Sequence, residues 1–379
     1  MVLSGKQRDG LFEQLIAEIF GLSVLEPLLA DHNITEIMVN GPRKIYVRVK
    51  GKIRPVNIAF RDDNHLSEVI EKICQPFGRK PTNSDPVVFA RLKDGSLITI
   101  IFDSVALTGK VIVIKRYHQD DVTIEDLIEF GVITSEAVQF IKACVKIGSN
   151  ILVSGNLGSN KISILNVLSS LISPDERVVS IEDVAQLSLR NPHLVFLEHT
   201  PKLDEQRLLS FATTLDADRF IINTTKSSVL FKMMELLNEG KIYSLIAPTF
   251  GNSPTDALNR LENKIRLFKP KLSCDVVKTL IFSAFDIVIQ VDRREDGLNY
   301  ITKISEIVKN NEDKYILNDI FRIDWQSGES LDSSNGIKYL GNRSHLYSKM
   351  ERNGIYIPFL QKSSLALIKN PAWRWKTEQ

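Results

Sequence analysis

The sequence predicts an α/β fold in two parts, a small α+β domain followed by a larger domain with a largely parallel sheet. Residues 34–60 alternate apolar and polar side chains between turns, which is typical of a β-meander. From residue 150 onward, short apolar segments alternate with amphipathic helical segments, which indicates parallel strands covered on both faces. Ligands of such sheets bind at the carboxyl ends of the strands.

The smaller domain is predicted over residues 31–118, after an N-terminal helical segment over 1–30. Helical spacing of apolar residues covers 7–31. Turns at Asn40-Gly41-Pro42 and Lys50-Gly51 separate the strands of the meander. Pro55 cannot donate a ladder hydrogen bond, so the last of these strands is expected at an edge of the sheet. A helix over 66–77 and strands within 87–113 complete this domain.

The larger domain is predicted over 119–340, and a C-terminal tail over 341–379. Thr123 is expected to cap a helix, and 135–145 form another. Strands are predicted at 151–153, 177–181, 194–197, 219–223, 243–247, 286–292 and 299–308. Helices are predicted at 162–172, 204–215, 228–238, 254–266 and 273–284.

Composition narrows the possible classes of protein. The net charge of the 379 residues is +2, which gives no general reason to expect a nucleic-acid partner. The three cysteines form no CxxC pair, which argues against a disulfide framework or a zinc site and fits a reducing cytoplasm. No uncharged apolar run reaches the ~18–20 residues of a membrane span.

The C-terminal tail mixes apolar, tryptophan and basic residues over 365–375. This composition is compatible with an anchor on a membrane surface. Pro371 breaks any helix there, so docking of the tail onto its own domain is the favoured interpretation.

A strand, a Gly-rich loop, a lysine and a helix follow one another over residues 149–163, which is how a phosphate-binding loop is built. The usual pattern is G-x-x-x-x-G-K-[ST]. Asn160 replaces its final Gly, and Ile162 replaces the hydroxyl that coordinates magnesium. Ser163 comes one residue late, about 100° further around a helix. The candidate nucleotide-binding residues are Gly155, Gly158, Ser159, Asn160, Lys161 and Ser163.

Two interpretations of this loop are open. Asn tolerates positive φ better than most residues, so the loop could still close around a nucleotide. Alternatively, the loop is a relic that the fold keeps for packing.

Several stretches together resemble one family: 34–42, 90–96, 181–183, 191–193, 252–262, 283–286 and 319–322. In this order they are similar to the type II/type IV secretion ATPase superfamily, nearest to the ATPases of tight-adherence (Flp/Tad-type) pilus assembly. The resemblance covers roughly residues 30–340 and implies a RecA-like P-loop motor domain preceded by the smaller N-terminal domain.

The resemblance also implies an oligomeric state, partners and a location in the cell. Members of the superfamily are cytoplasmic hexameric rings that bind ATP between their two domains and drive pilin assembly or protein export at the inner membrane. For this chain we expect a homo-oligomeric or hetero-oligomeric ring, which could include an intact paralogue. The expected partners are inner-membrane platform proteins, with no nucleic acid, and the expected location is cytoplasmic and peripheral to the inner membrane.

Several catalytic residues of the family are replaced in this sequence. The acidic box Glu182-Asp183 survives, although a structural pair at a strand end is an equally good interpretation. Thr224 stands where the family has a water-activating Glu. The family's His falls on Phe250, or on Thr249 if this chain has a one-residue insertion, and neither residue is His. Three arginines remain as candidates for phosphate contact, namely Arg116, Arg219 and Arg260. Other arginines of the family are replaced at Leu97, Phe196 and Thr200.

Thr cannot take a proton from water at physiological pH, and losses of several catalytic groups together are hard to reconcile with turnover. The sequence therefore predicts a catalytically degenerate homologue, a pseudo-ATPase with an assembly or regulatory role and no intact catalytic residue. ATP or ADP would bind weakly, with little or no magnesium. The alternative is an active ATP-hydrolysing motor with atypical motifs. A ligand-sensing module has no positive feature in its favour.

Overall fold

The computed structural model describes residues 22–49, 52–77, 82, 86–92, 96–116, 123–183, 186–199, 205–293, 299–309, 315–323 and 336–361. The chain divides into two compact units, Met1–Asp120 and Asp121–Gln379. Most of the helix predicted over 7–31 and the tail beyond residue 361 lie outside the described residues.

The first unit contains a six-stranded antiparallel sheet with strand order β3-β2-β1-β6-β5-β4. The meander is confirmed by β1 to β3, and Pro55 ends the edge strand β3 as predicted. The strands are β1 (Ile34–Asn40), β2 (Ile45–Val49), β3 (Lys52–Pro55), β4 (Val87–Arg91), β5 (Leu97–Ile101) and β6 (Val111–Lys115).

Two described helices accompany this sheet, α1 (Glu26–Ala30) and α2 (Asp63–Cys74). The side chain of Asp62 accepts a hydrogen bond from the amide of His65 at 2.8 Å, which caps the start of α2. The apolar face of α2 is buried in the core of the first unit through Leu66, Ile70 and Ile73.

The second unit is built on a nine-stranded sheet with strand order β15-β14-β13-β12-β7-β11-β10-β8-β9. The six strands from β12 to β9 in this order are parallel, and β13, β14 and β15 add antiparallel strands beside β12. The strands are β7 (Ile151–Gly155), β8 (Val178–Glu182), β9 (Leu194–Glu198), β10 (Arg219–Asn223), β11 (Leu245–Thr249), β12 (Ile287–Arg293), β13 (Asn299–Lys309), β14 (Tyr315–Arg322) and β15 (Lys338–Tyr339).

Helices cover both faces of this sheet, as predicted. Along β7, Ile151 and Val153 belong to one apolar core, whereas Leu152 belongs to the other. A capping box between Thr123 and Asp126 confirms the predicted start of α3. The helices are α3 (Ile124–Glu129), α4 (Ser135–Lys146), α5 (Lys161–Ser170), α6 (Glu205–Ala212), α7 (Ser227–Asn238), α8 (Pro254–Phe268), α9 (Cys274–Ala284) and α10 (Tyr347–Arg352).

None of the described helices has the length and apolar character that crossing a bilayer requires.

The strand register brings the sequence motifs to one edge of the sheet. Asn223 at the end of β10 lies beside Glu182 at the end of β8. Thr249 at the end of β11 lies beside Ser154, next to the last residue of β7. The Gly-rich loop, the acidic box, Thr224 and Phe250 therefore all follow the carboxyl ends of adjacent parallel strands, where ligands of such sheets bind.

Candidate functional site

The Gly-rich loop keeps the backbone of a phosphate-binding loop. Asn160 has a φ of 53°, in the left-handed region, immediately before α5 begins. Asn is among the few residues that adopt this conformation without large strain. At Gly155 a Cβ atom would lie 2.4 Å from both the Ser159 hydroxyl and the Val291 carbonyl oxygen, so this position requires glycine. Asn160 thus replaces the usual final Gly without opening the turn.

The lysine of the loop is turned back onto the loop itself. The Lys161 ammonium donates to the carbonyl oxygens of Gly155 at 2.8 Å and Asn156 at 2.9 Å. It also lies 4.4 Å from the ring centroid of Phe250. Burial lowers the pKa of Lys161 to about 8. The charge that would bind a phosphate is therefore held by neutral groups, and it titrates close to physiological pH.

Phe250 joins two lysines of different helices. The ammonium of Lys264 on α8 lies 5.2 Å from the Phe250 centroid, and the ring is half-buried. Burial and the neighbouring charge of Arg260 lower the pKa of Lys264. Arg260 lies one turn before Lys264 and is exposed, and its guanidinium binds Asp256 at 2.8 Å. Phe250 thus provides an aromatic ring that stabilises the two ammonium groups.

A second contact ties this segment to the loop. The Asn156 side-chain amide donates to the Asn252 side-chain oxygen at 2.6 Å. The Asn252 backbone amide in turn donates to Asp256 at 2.8 Å. Gly251, directly before Asn252, has no room for a Cβ atom, because that atom would come within 2.6 Å of Ala257. The turn before α8 is therefore fixed against the Gly-rich loop.

In the acidic box, Glu182 has a structural role. Only 1% of its surface is exposed. Its Oε2 accepts hydrogen bonds from the backbone amides of Gln186 at 2.7 Å and Leu187 at 3.0 Å, and from the Asn223 side chain at 3.1 Å. These contacts fix the chain after β8, and they support the interpretation of Glu182 as a satisfied carboxylate at a strand end.

Asp183 is bound by two groups that follow β10. The Thr224 hydroxyl donates to Asp183 Oδ2 at 2.6 Å, and Thr224 itself is buried. The Lys226 ammonium lies 3.0 Å from Asp183 Oδ1 and 2.7 Å from Glu205 Oε1. Although burial alone would lower it, the hydrogen bonds to Glu205 and Asp183 raise the pKa of Lys226. A permanent ammonium therefore balances the charge of the acidic box.

Lys226 and Lys264 were missed as site residues from the sequence alone. Lys226 could have been found, because it follows Thr224 by two positions and so lies at the same sheet edge as the acidic box. Lys264 could not, because only the packing of α8 beside the loop brings it to Phe250.

The donor groups present do not fit a magnesium ion. Ile162 packs against the apolar core and offers no oxygen. Both carboxylate oxygens of Asp183 and Oε2 of Glu182 are engaged in the contacts above. Across the described ranges, no cluster of three or more His, Cys, Asp or Glu side chains has the arrangement that a metal needs. Ser163 follows on α5, and its amide donates to the Asn160 carbonyl at 3.1 Å.

Two of the three candidate arginines, Arg219 and Arg260, belong to the second unit, and they do not come together there. Arg219 begins β10, at the amino ends of the parallel strands, so it lies at the edge of the sheet opposite the loop. Its guanidinium binds Glu176 Oε1 through Nη2 at 2.6 Å. This corrects the expected phosphate contact of Arg219. Arg116 belongs to the first unit, where it donates to the Asp31 carbonyl. Within the second unit, Arg260 lies near the loop, on the helix that carries Lys264.

Comparison with known proteins gives a consistent family. Residues 19–263 match the family model described as type II/IV secretion system protein, which is more than half of the chain. An uncharacterised protein of Methanocaldococcus jannaschii is 27% identical over 55% of this chain, and the match spans 38% of that protein. The type IV secretion system protein VirB11 of Bartonella henselae is 22% identical, over 76% of this chain and 92% of that protein.

Solved structures show the same fold. The pilus retraction motor PilT with bound ADP superposes with a TM-score of 0.55 at 11% identity, over 92% of this chain and 89% of that one. The Legionella pneumophila ATPase DotB superposes with a TM-score of 0.52 at 11% identity, over 76% and 80% of the two chains. The second unit accordingly has the RecA-like motor fold, and the first is the N-terminal domain that accompanies it. By fold and by sequence, the chain belongs to the type II/IV secretion system protein family.

Proposed function

We propose that this chain is a pseudo-ATPase, an assembly or regulatory subunit of a type II/type IV secretion or tight-adherence pilus machine. The observation that carries the proposal is the contact of Asp183 with Thr224 and Lys226. At the position where the family has its water-activating Glu, this chain has a hydroxyl that donates to a neighbouring carboxylate. A neutral hydroxyl is too weak a base to take up a proton from water at physiological pH.

The Gly-rich loop supports the same proposal. Lys161 contacts loop carbonyls and Phe250, and Ile162 is part of the apolar packing, so the loop has lost its metal contact while its backbone is kept. An arginine at a developing phosphoryl charge can be worth about 10³–10⁵ in rate. Within this chain Arg219 is engaged at the other sheet edge. The fold is retained, whereas the groups that perform hydrolysis are not.

We expect the purified chain to hydrolyse ATP no faster than its Lys161→Ala variant. In both proteins Thr224 stands in place of the family's water-activating Glu, and both oxygens of Asp183 are already bound by Thr224 and Lys226. Phosphate release measured with a coupled assay, with and without Mg²⁺, checks this. Magnesium-dependent turnover that Lys161→Ala abolishes would instead establish the alternative, an active motor. That alternative is favoured by one observation, the closed loop backbone with Asn160 in the left-handed conformation.

Any binding of ATP or ADP is expected to be weak, insensitive to EDTA and dependent on pH. The ammonium of Lys161 is charged below about pH 8 and neutral above it, so affinity should fall as the pH rises from 7 to 9. An unshifted lysine, with a pKa near 10.4, would give a flat profile in this range. Titration calorimetry of the wild type and Lys161→Met measures both effects. Sub-micromolar affinity that EDTA removes would contradict the expectation.

The remaining role is assembly. Similar proteins carry the names type IV secretion system protein VirB11 and conjugal transfer protein TrbB, which assign them to secretion and conjugal-transfer systems. For this chain we infer a homo-oligomeric or hetero-oligomeric ring and contact with inner-membrane platform proteins from the cytoplasmic side. The resemblance to tight-adherence pilus ATPases favours a pilus-assembly machine of that type. Nucleic acid is not among the proposed partners.

Association with itself, with an intact paralogue or with a platform protein is expected to survive Lys161→Ala. The substitution removes the loop charge but leaves the packing of both cores unchanged. Mass photometry and pull-down from the native host, with both proteins at equal concentration, give the comparison. A strictly monomeric protein that retains no partner would defeat the scaffold role, and assembly lost with Lys161→Ala would indicate a nucleotide-driven ring.

A further inference from the structure

Arg293 lies against the Gly-rich loop from the side of β12. This strand pairs in parallel with β7, and the register places Val291 beside Gly155. Arg293 ends β12 two residues later, so it is level with the loop that follows Gly155. A Cβ atom added at Gly158, in the middle of the loop, would lie 3.6 Å from the Nη1 atom of Arg293. The guanidinium therefore lies close to the loop, at a place that the sequence motifs did not indicate.

A lysine approaches the loop from the opposite side. In the strand order, β7 lies between β12 and β11, and Phe250 follows the end of β11. The centroid of the Phe250 ring lies 4.4 Å from the Lys161 ammonium and 5.2 Å from the Lys264 ammonium. Lys264 thus reaches the loop on the β11 side, whereas Arg293 reaches it on the β12 side. A cation on each side therefore flanks the lysine of the loop itself.

Two carboxylates in these flanking segments bind other groups. Asp256, on α8, accepts a hydrogen bond from the Arg260 guanidinium at 2.8 Å. Asp292, at the end of β12, accepts hydrogen bonds from the Gln290 side chain at 2.7 Å and from the Thr302 hydroxyl. Both carboxylates therefore hold their own segments together.

The three cations at the loop have no such partner. Across the ranges that the structure describes, Lys161, Lys264 and Arg293 form no ion pair with a carboxylate. The two ammonium groups contact loop carbonyl oxygens and an aromatic ring, and the Arg293 side chain is exposed. Three positive charges that no carboxylate balances thus surround one loop, which is the complement of a ligand with several negative charges.

From this arrangement we propose that Arg293 and Lys264 take the place of magnesium at the Gly-rich loop, which then binds a diphosphate group without a metal ion. In a phosphate-binding loop of the usual pattern, the hydroxyl after the lysine holds magnesium on the phosphates. Here Ile162 occupies that position, and two side-chain cations carry the charge of one divalent ion. The planar guanidinium matches two phosphate oxygens, and the ammonium acts as a point charge.

The class of ligand follows from the kind of contact. The three cations recognise negative charge, and none of them distinguishes a base or a sugar. The diphosphate group of ADP and inorganic pyrophosphate share this chemistry, so both are expected to bind. This inference rests on the proposed function in one respect, because it needs the loop to hold its ligand without magnesium.

The test is titration calorimetry of the full-length chain with ADP, inorganic pyrophosphate and adenosine, first in EDTA and then with added Mg²⁺. Arg293→Gln/Lys264→Gln removes the two flanking cations. Arg266→Gln/Lys271→Gln is the matched control, because it makes the same change in net charge at exposed positions of the same unit. Arg293→Lys keeps the charge and removes the planar fork. Thermal unfolding of each variant verifies that the fold is retained.

In EDTA the wild type should bind both diphosphates but not adenosine, and added Mg²⁺ should not tighten the binding. A charge contact of this kind is worth about three- to fivefold in affinity, so the double variant should bind about tenfold more weakly than the control variant. Arg293→Lys should bind more tightly than the double variant. Equal affinity of the double variant and the control, binding of neither diphosphate, or competition by adenosine would overturn the proposal.

Phosphate release, measured in parallel, separates this inference from the proposed function. A wild type that hydrolyses ATP with Mg²⁺, yet binds diphosphates in EDTA through the two flanking cations, would defeat the pseudo-ATPase and support the two cations as ligands. An inactive wild type whose double variant binds as tightly as the control would defeat the inference alone.

Discussion

Thr224→Glu, which restores the family's carboxylate, is expected to leave ATP turnover at background and to lower the free energy of unfolding by about 2–4 kcal/mol. Thr224 is buried, and its hydroxyl donates to Asp183 at 2.6 Å. A carboxylate there would face Asp183 instead of donating to it, and Lys226 already balances Asp183 and Glu205. The introduced Glu would thus add a third carboxylate to a site in which one ammonium, that of Lys226, already pairs with two.

Thr224→Gln is the matched control, because it has nearly the same volume as Glu but carries no charge and can still donate to Asp183. It should be less destabilising than Thr224→Glu at pH 7. The gap should narrow as the pH falls toward the ordinary pKa of a glutamate side chain, about 4.3, because the introduced carboxyl group then loses its charge. Chemical denaturation of both variants at the two pH values measures this, together with ATP turnover. Family-like turnover by Thr224→Glu alone would show that the rest of the site is intact.

Arg219→Ala is expected to destabilise the fold by about 2–4 kcal/mol and to leave any nucleotide binding unchanged. The side chain of Arg219 is 6% exposed and that of Glu176 is 28% exposed, so truncation leaves a partly buried carboxylate without its partner. The guanidinium also packs beside Gly148, where an added Cβ would lie 2.9 Å from its Nη1 atom. Urea denaturation and titration calorimetry together separate a structural role from contact with phosphate.

The control for Arg219 is an exposed ion pair in the same unit, Lys241 with Glu239, at 2.6 Å. Lys241→Ala should cost less than about 1 kcal/mol, because both partners are solvated. The double variant Arg219→Ala/Glu176→Ala should cost less than the sum of the two single variants, because each removes the same interaction. Loss of nucleotide binding in Arg219→Ala, with the free energy of unfolding unchanged, would show that Arg219 contacts phosphate after all.

The results for Thr224→Glu and Arg219→Ala together show whether the site lacks a single residue or is reorganised as a whole. Restoring Asn160→Gly, Ile162→Thr, Thr224→Glu and Phe250→His together addresses the losses that the sequence reveals. Lys226 and Lys264 would remain in that variant. In this structure Lys226 binds Asp183 of the acidic box, and Lys264 lies against the ring of Phe250. Catalytic groups act as a unit, so partial restoration recovers little.

Up to residue 308, the sequence by itself determined the order of strands and helices, and it determined the sheet edge where the motifs meet; β14, β15 and α10 were not predicted. Periodicity of apolar residues is a local property, and parallel strands align their carboxyl ends whatever their exact register. The replacements at Asn160, Ile162, Thr224 and Phe250 could be read directly, since a missing hydroxyl or carboxylate is a fact of the sequence. The tolerance of Asn for a positive φ is also a property of the residue type, and Asn160 has a φ of 53°.

Only the tertiary structure decided what the retained charged residues do. Arg219 and Thr224 are five residues apart, yet a strand that spans the sheet places one at each edge, so Arg219 binds Glu176 while Thr224 meets Asp183. The partners of Lys161 are likewise set by how α8 and its preceding turn pack beside the loop. Charge pairing depends on distances of a few ångströms between segments far apart in the chain, and the spacing of residues along one segment does not encode them.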